Sequence, residues 1–154
     1  MQDGYDTDTV TRLETNLDDL SPELTGAVFE MLLAAGALDV WLTPIQMKKQ
    51  RPGVQLAVLC EETAVTRLTD VIFTQTSAFG LRIEKVLRLK LQRRFEQVET
   101  DFGPVTVKLG YKGDRLLQVA PEFESCREIS AKTGQPLRAI YAAAQTAFDR
   151  RQNA

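Results

Sequence analysis

The stretch ETNLDDLSPE, residues 14–23, places the end of a strand directly before the start of a helix. Ser21 is a favoured helix N-cap, Pro22 suits the first helical position, and Glu23 suits the first turn. Apolar residues recur at helical spacing after this point and stop at Gly36, a typical helix end. The segment therefore predicts a strand, a tight junction and a helix.

The junction itself is filled with side chains that carry oxygen atoms. Asn16, Asp18 and Asp19 lie at the lip of the predicted helix N-terminus, where a hard cation or a polar ligand can dock. The alternative is that these residues only cap and solvate the turn, as Asn and Asp commonly do. This segment alone leaves both interpretations open.

Alternating and helical apolar patterns around the junction predict four strands and two helices in the order βαββαβ. The strands cover residues 12–17, 38–47, 54–60 and 81–91, and the helices cover residues 22–35 and 61–76. This order is that of the ferredoxin-like fold, so the fold class is predicted to be α+β.

A second, smaller α+β lobe is predicted after residue 91. Residues 101–104, DFGP, are typical of a hairpin turn, and residues 116–119 are a candidate third strand. Two helices, at residues 123–132 and 137–148, close the chain. The predicted divisions are a linker at residues 1–11, the ferredoxin-like lobe at residues 12–91 and the second lobe at residues 92–154.

The composition excludes several classes of function. The net charge is −2 and there is no histidine, which argues against a nucleic-acid partner and excludes a serine-protease triad or a histidine-based zinc site. No apolar run approaches the ~20 residues of a membrane helix, so no membrane partner is expected. No signal peptide is visible, and the polar start of the chain is typical of a linker within a longer protein.

The cysteines indicate a compartment and a packing role. Cys60 and Cys126 are too few for a disulfide framework and suit a reducing cytoplasm. Cys60 alternates with apolar residues of its strand, which predicts that it is buried. Cys126 lies on a predicted helix and is likewise expected to pack.

The predicted topology brings three loops to one edge of the sheet, which we call the rim. The first two strands run parallel and end there, at residues 16–19 and 47–53. The third and fourth strands run the other way, so the loop at residues 76–82 also lies there. The rim would then hold two carboxylates, two hydroxyls and four cations: Asp18, Asp19, Thr76, Ser77, Lys48, Lys49, Arg51 and Arg82.

These groups fit a nucleotide with its divalent cation. Mg²⁺ prefers one or two carboxylates together with phosphate oxygens and water, while Lys and Arg neutralise phosphate. Gly53 would let the backbone approach a ligand closely. We call residues 48–51, with Lys48, Lys49 and Arg51, the basic loop, and the alternative for it is a solvated hairpin tip without a ligand.

Two motifs, residues 14–23 and PIQMKKQRPG at residues 44–53, resemble the C-terminal domain of the nickel insertion proteins. These proteins complete the nickel-pincer nucleotide cofactor of lactate racemase. The resemblance continues through GLR at residues 80–82, GPVTVK at residues 103–108 and APEFE at residues 120–124. It runs from about Leu13 to Arg150.

The resemblance implies a CTP-dependent nickel cyclometallase of the lyase class. Such a protein inserts Ni²⁺, its substrate metal, into pyridinium bis-thiocarboxylic acid mononucleotide, and CTP with Mg²⁺ or Mn²⁺ activates that precursor. By matching motif, Asp18 and Asp19 would hold the cation. Phosphates would be held by Lys48, Lys49, Arg51 and Arg82, and Lys108 and Glu122 in the second lobe are further candidates for nucleotide binding. Asn16 and Gly53 join this set through their place at the rim.

The resemblance also implies further parts and partners. A histidine-rich N-terminal part, which this sequence lacks, would deliver nickel, so this domain would bind CTP without having to complete the insertion. A homo-oligomer is expected, with a hexamer as one form. The chain departs from the family where Gln50 stands in place of a usual glycine, and where Phe123 and Ser125 replace a tyrosine and an aspartate.

Two other functions stay open. A ferredoxin-like lobe also suits a regulatory module that binds a small ligand and oligomerises, because fold does not specify function. RNA binding on an open sheet needs aromatic residues in a basic context, whereas Phe29, Phe73 and Phe79 lie in or beside the predicted helices. Titration with CTP, ATP and a short RNA, each with and without Mg²⁺, would separate the three hypotheses.

Overall fold

Seven strands and four α-helices build residues 4–152, the part of the chain that the computed structural model describes. In chain order they are β1 (Asp6–Leu17), α1 (Pro22–Ala34), β2 (Asp39–Met47), β3 (Arg51–Cys60), α2 (Val65–Gln75), β4 (Arg82–Lys90), β5 (Gln92–Thr100), β6 (Gly103–Lys112), β7 (Arg115–Pro121), α3 (Phe123–Thr133) and α4 (Leu137–Gln152). Within this part of the chain, the helices are too short or too polar to cross a membrane.

The first four strands form one sheet in the order β2-β3-β1-β4. Strand β3 pairs antiparallel with both β1 and β2. Side-chain contacts between β1 and β4 run in opposite directions, from Arg82 with Glu14 to Arg88 with Asp8, so these strands are antiparallel as well. The βαββαβ order and this strand order confirm the predicted α+β, ferredoxin-like fold.

Helices α1 and α2 cover one face of this sheet. Leu13 and Leu17 of β1 are buried on that face together with residues of both helices. The cap of α1 is the predicted one: the Ser21 hydroxyl accepts a hydrogen bond from the Leu24 N–H, and Pro22 is the first helical residue. The other face of the sheet carries the alternate residues of β1, which are polar: Arg12, Glu14 and Asn16.

Strand β1 starts earlier than the sequence pattern indicates. It begins at Asp6, within the segment assigned to a linker, because Val10 and Thr11 are buried and extend the pairing with β3 to Cys60. Asp8–Arg88 forms one compact unit, the first lobe, and residues 4–7 with residues 89–152 form the other, the second lobe. Residues 1–3 of the predicted linker and residues 153–154 lie outside the described residues.

The second lobe is a three-stranded antiparallel sheet with two helices, so the candidate third strand is present as β7. Helices α3 and α4 pack on the face that carries Val105, Val107 and Leu109 of β6, and Phe148 is the largest fully buried side chain. Helix α3 ends at Gly134, whose φ of 69° is left-handed and favours glycine.

Both cysteines are packed in cores, as predicted. Cys60 belongs to the core of the first lobe and Cys126 to the core of the second lobe, and neither is accessible to solvent. Burial raises the pKa of each thiol, and the nearby carboxylates of Glu61 and Glu122 add to the effect. Each thiol is therefore disfavoured as a thiolate metal ligand at neutral pH.

Candidate functional site

The rim is assembled by the pairing of β1, β2 and β3. Leu17, the last residue of β1, pairs with Val54, and Met47, the last of β2, pairs with Arg51. The basic loop is thus the short connection between β2 and β3, and it lies beside the acidic junction after β1. This register confirms that the acidic junction and the basic loop meet, as predicted from the sequence.

Gly53 allows the two loops to approach each other. A Cβ atom at this position would lie 2.6 Å from the carbonyl oxygen of Leu17, 3.0 Å from the sulfur of Met47 and 3.4 Å from the Cα of Asp18. The first of these distances is too short for any side chain. The close approach at Gly53 is therefore made to the backbone of β1, and the predicted approach of a ligand to this glycine stays a prediction.

Both acidic residues of the junction have partners at the rim. The Asp18 carboxylate is 3.3 Å from the Arg51 guanidinium, and its side chain is one-fifth exposed. Asp19 is more exposed and accepts a hydrogen bond from the Ser77 hydroxyl. One residue from each of the other two loops therefore touches the acidic junction.

Arg82 and Asn16 contact each other on the open face of the sheet. The Arg82 guanidinium donates to Glu14 at 2.7 Å and to the side-chain oxygen of Asn16 at 2.8 Å. To hold a phosphate, as predicted, Arg82 would have to release or share these two acceptors. Glu14 was not predicted as a site residue, and only its position across from β4 reveals its part in this cluster.

The basic loop has an unusual backbone. Lys48–Gln50 forms a single 3-10 turn, in which Lys49 and Gln50 both have a φ of 60°. Left-handed residues other than glycine are uncommon and cost of the order of 1 kcal/mol each. At Gln50, glycine would be the unstrained residue. The three residues of this 3-10 turn, Lys48–Gln50, are all exposed.

The donors at the rim suit a hard cation that brings other ligands with it. Among residues 4–152, no three acidic or cysteine side chains are grouped in a way that could hold a metal ion. Asp18 and Asp19 can supply two carboxylates, and Mg²⁺ accepts one or two of these with phosphate oxygens and water completing its shell. These residues fit a cation that binds together with a nucleotide.

A cavity of about 340 Å³ adjoins Asp18, and the sequence does not predict it. Its walls are mainly apolar and come from the end of β1, the start of α1, β2 and the start of β3. They are Leu17, Asp18, Leu20, Pro22, Thr25, Leu42, Pro52, Gly53 and Val54. No local signal could have revealed it, because residues 17–25, Leu42 and residues 52–54 come together only when the chain folds.

The two remaining candidates lie in the second lobe. The Lys108 ammonium is 2.8 Å from the Glu122 carboxylate, and both side chains are partly exposed. Lys108 lies on β6 and Glu122 is the N-cap of α3. The structure brings these two together, and their predicted contact with CTP stays a prediction.

Sequence comparison places the chain among known proteins. The model of the nickel insertion protein family matches residues 1–141. A relative from Syntrophotalea carbinolica is 48% identical over 94% of this chain. The pyridinium-3,5-bisthiocarboxylic acid mononucleotide nickel insertion protein of Clostridium acetobutylicum is 44% identical over 85% of the chain. The chain spans about a third of the length of these relatives, 37% and 31%.

Solved structures agree with this placement. The chain is similar to LarC2, described as the C-terminal domain of a cyclometallase involved in the synthesis of the NPN cofactor of lactate racemase, with 39% identity and a TM-score of 0.86. That match covers 94% of this chain and 99% of LarC2. A protein of Methanopyrus kandleri AV19 is 27% identical, with a TM-score of 0.68 over 95% of this chain and 91% of its own. The chain belongs to the nickel insertion protein family.

Proposed function

We propose that this chain is the nucleotide-binding domain of a nickel insertion protein. In that role the rim binds CTP with Mg²⁺ or Mn²⁺, and the whole protein inserts Ni²⁺ into pyridinium bis-thiocarboxylic acid mononucleotide as a cyclometallase of the lyase class. The relative from Clostridium acetobutylicum is named for insertion of nickel into this mononucleotide, and the proposal extends that activity to the protein that contains this chain.

The observation that carries the proposal is the contact between Asp18 and Arg51. The carboxylate and the guanidinium are 3.3 Å apart at the junction of β1 and β3, so a cation ligand and a phosphate ligand are within reach of one small molecule. A triphosphate with its cation would satisfy both groups at once: Asp18 and Asp19 would hold the metal, and Arg51 a phosphate.

The basic loop supports the same assignment. Successive backbone N–H groups in left-handed or turn conformations form concave anion sites, and Lys49 and Gln50 are left-handed. Strain of this kind persists where the surroundings demand it, frequently at ligand clamps. Lys48 and Lys49 would add their charges to the backbone donors, while Asn16, Gly53 and Arg82 border the same rim.

Removing charge from the basic loop tests the phosphate assignment. Lys49→Gln and Arg51→Gln are each expected to weaken binding of CTP with Mg²⁺ about tenfold or more, because a hydrogen bond to a charged group is worth roughly 1.5–3 kcal/mol. Glutamine removes the charge and keeps a long polar side chain at each position. Isothermal titration calorimetry should show the loss for CTP and little change for cytidine.

The matched control is Arg138→Gln, which removes an exposed cation from α4 of the second lobe. It should leave CTP affinity unchanged. An equal loss for cytidine and CTP in the loop variants would place these residues at the base instead, and unchanged CTP affinity in both variants would remove the phosphate site from this loop.

Nickel binding by the chain alone should be weak without nucleotide. Tight nickel sites draw on imidazole and thiolate, whereas this sequence has no histidine and its two thiols are buried. We expect Mg²⁺ or Mn²⁺ retention that depends on CTP, measured by equilibrium dialysis. Stoichiometric Ni²⁺ retention by the apo chain at low micromolar free metal would contradict this and point to Cys60 or Cys126.

One observation favours an oligomerisation module as a second function. This function and the nucleotide site do not exclude each other. Ile83 and Leu87 of the edge strand β4 have 56% and 64% of their area exposed. Exposed apolar edge strands are common pairing surfaces. We propose a homo-oligomer, and sedimentation velocity of the parent and of Leu87→Lys would test whether β4 contributes to it.

A further inference from the structure

The second lobe has a surface that the proposed nucleotide site does not use. It is the face of the β5-β6-β7 sheet opposite α3 and α4, and we call it the open face. The pairing of β5 with β6 puts Phe95 directly across from Lys108, and Arg93 across from Gly110. Both pairs lie on the open face, because the alternate residues Val107 and Leu109 are buried under the helices.

Two cavities border this face. The smaller one, of about 310 Å³, has cationic walls: Lys90, Arg93 and Lys108 line it together with Leu89, Leu91 and other residues. The larger one, of about 580 Å³, is lined on its strand side by Phe95, Gln97 and Thr106, and on its helix side by Glu122, Ser125, Glu128 and Lys132. Both volumes are in the range of small-molecule sites.

Phe95 and Lys108 stand between these cavities. The Phe95 side chain is 59% exposed, although an aromatic ring of this size is normally used to fill a core. Lys108, beside it, forms the ion pair with Glu122 at 2.8 Å. A cationic pocket, an exposed aromatic face and a carboxylate therefore follow one another along the open face.

We infer that the open face of the second lobe binds a phosphorylated aromatic cation, of the pyridinium mononucleotide class. The phosphate would enter the pocket of Lys90, Arg93 and Lys108, because clustered cations neutralise phosphate. The ring would stack on Phe95, and its positive charge would lie near Glu122. Residues two apart on one strand face are about 7 Å apart, so Arg93 and Phe95 are spaced for a phosphate and a ring joined through a ribose.

This inference rests on the proposed function for the identity of the ligand, and on the cavities and charges for its place. It gives Lys108 and Glu122 a different role from the one predicted from sequence. CTP and the pyridinium mononucleotide would then occupy two separate sites of the chain.

Nicotinic acid mononucleotide is a suitable probe, since it contains both a pyridinium ring and a phosphate. Calorimetric titration of the chain should show binding that Phe95→Ala and Arg93→Gln each weaken at least fivefold. Phe95→Tyr should bind the probe as tightly as the parent chain, because tyrosine keeps the ring face. Ribose 5-phosphate should lose affinity with Arg93→Gln and be insensitive to Phe95→Ala.

Matched controls separate the site from general effects on folding. Phe123→Ala removes another exposed aromatic residue of the same lobe, and it should leave probe binding unchanged. Binding of CTP with Mg²⁺ should be the same in the parent, Phe95→Ala and Arg93→Gln chains. Absence of probe binding up to millimolar concentrations, or equal binding by both variants and the parent, would overturn the inference.

The same titrations keep the two proposals apart. A chain that binds CTP with Mg²⁺ and fails to bind the probe overturns the open-face site and leaves the nucleotide site standing. A chain that binds the probe through Phe95 and Arg93 and fails to bind CTP supports the open-face site and overturns the nucleotide site.

Discussion

Asp18→Asn is expected to weaken binding of CTP with Mg²⁺ at least tenfold. The amide keeps the shape of the side chain and removes the negative charge that a hard cation prefers. Asp19→Asn should act in the same direction, with a smaller loss expected because Asp19 is more exposed. Calorimetric titration with CTP in saturating Mg²⁺ measures both losses.

The same variant should behave oppositely without the metal. Asp18 is 3.3 Å from Arg51, so its removal releases the guanidinium and also removes a charge that repels triphosphate. In the presence of EDTA, Asp18→Asn should therefore bind CTP as tightly as the parent or more tightly. Asp114→Asn, in an exposed turn of the second lobe, is the control for loss of a carboxylate. A similar loss with and without Mg²⁺ would contradict the assignment of Asp18 as a metal ligand.

Gly53→Ala is expected to damage both the stability of the first lobe and its nucleotide site. The new Cβ would lie 2.6 Å from the Leu17 carbonyl oxygen, and because this atom belongs to the backbone, β1 and β3 must separate at their ends. Overpacking of this kind typically costs about 1–3 kcal/mol. Asp18 is attached to the displaced end of β1, so the affinity for CTP with Mg²⁺ should fall as well.

Urea unfolding followed by the fluorescence of Trp41 measures this effect, since the single tryptophan of the chain lies on β2 in the first lobe. Gly80→Ala is the matched control at the same rim, because a Cβ there would meet no atom within 4 Å. It should leave the free energy of unfolding unchanged or raise it slightly. Equal midpoints for Gly53→Ala and the parent would show that the junction tolerates a side chain.

Much of the fold follows from local patterns in the sequence. The cap at Ser21, the helical spacing up to Gly36 and the alternation around Cys60 are short-range signals, and each predicted its element correctly. The alternation also predicted the burial of Cys60, whereas Leu24 and Met31 of the helix are exposed. The start of β1 at Asp6 was missed because residues 6–9 are polar and look like a linker. They are paired or packed through contacts with distant parts of the chain, which no local pattern reveals.

The candidate site divides in the same way. Residue types and strand directions were sufficient to predict that Asp18, Asp19 and the basic loop meet, because a βαββαβ order leaves few arrangements of the strand ends. Only the tertiary structure decided which groups touch: Arg51 with Asp18, Ser77 with Asp19, and Arg82 with Glu14.

The role of Gly53 and the open face of the second lobe also depend on the tertiary structure. A glycine in a sequence indicates freedom of the backbone, whereas the structure shows that its missing side chain makes room for Leu17. In the sequence, Phe95 is an ordinary strand residue. Its exposed position beside Lys108 and Glu122 depends on the pairing of the three strands and on the start of α3. The sequence by itself determined the strands, the helices and the charges at their ends; register and packing decided which of those charges meet.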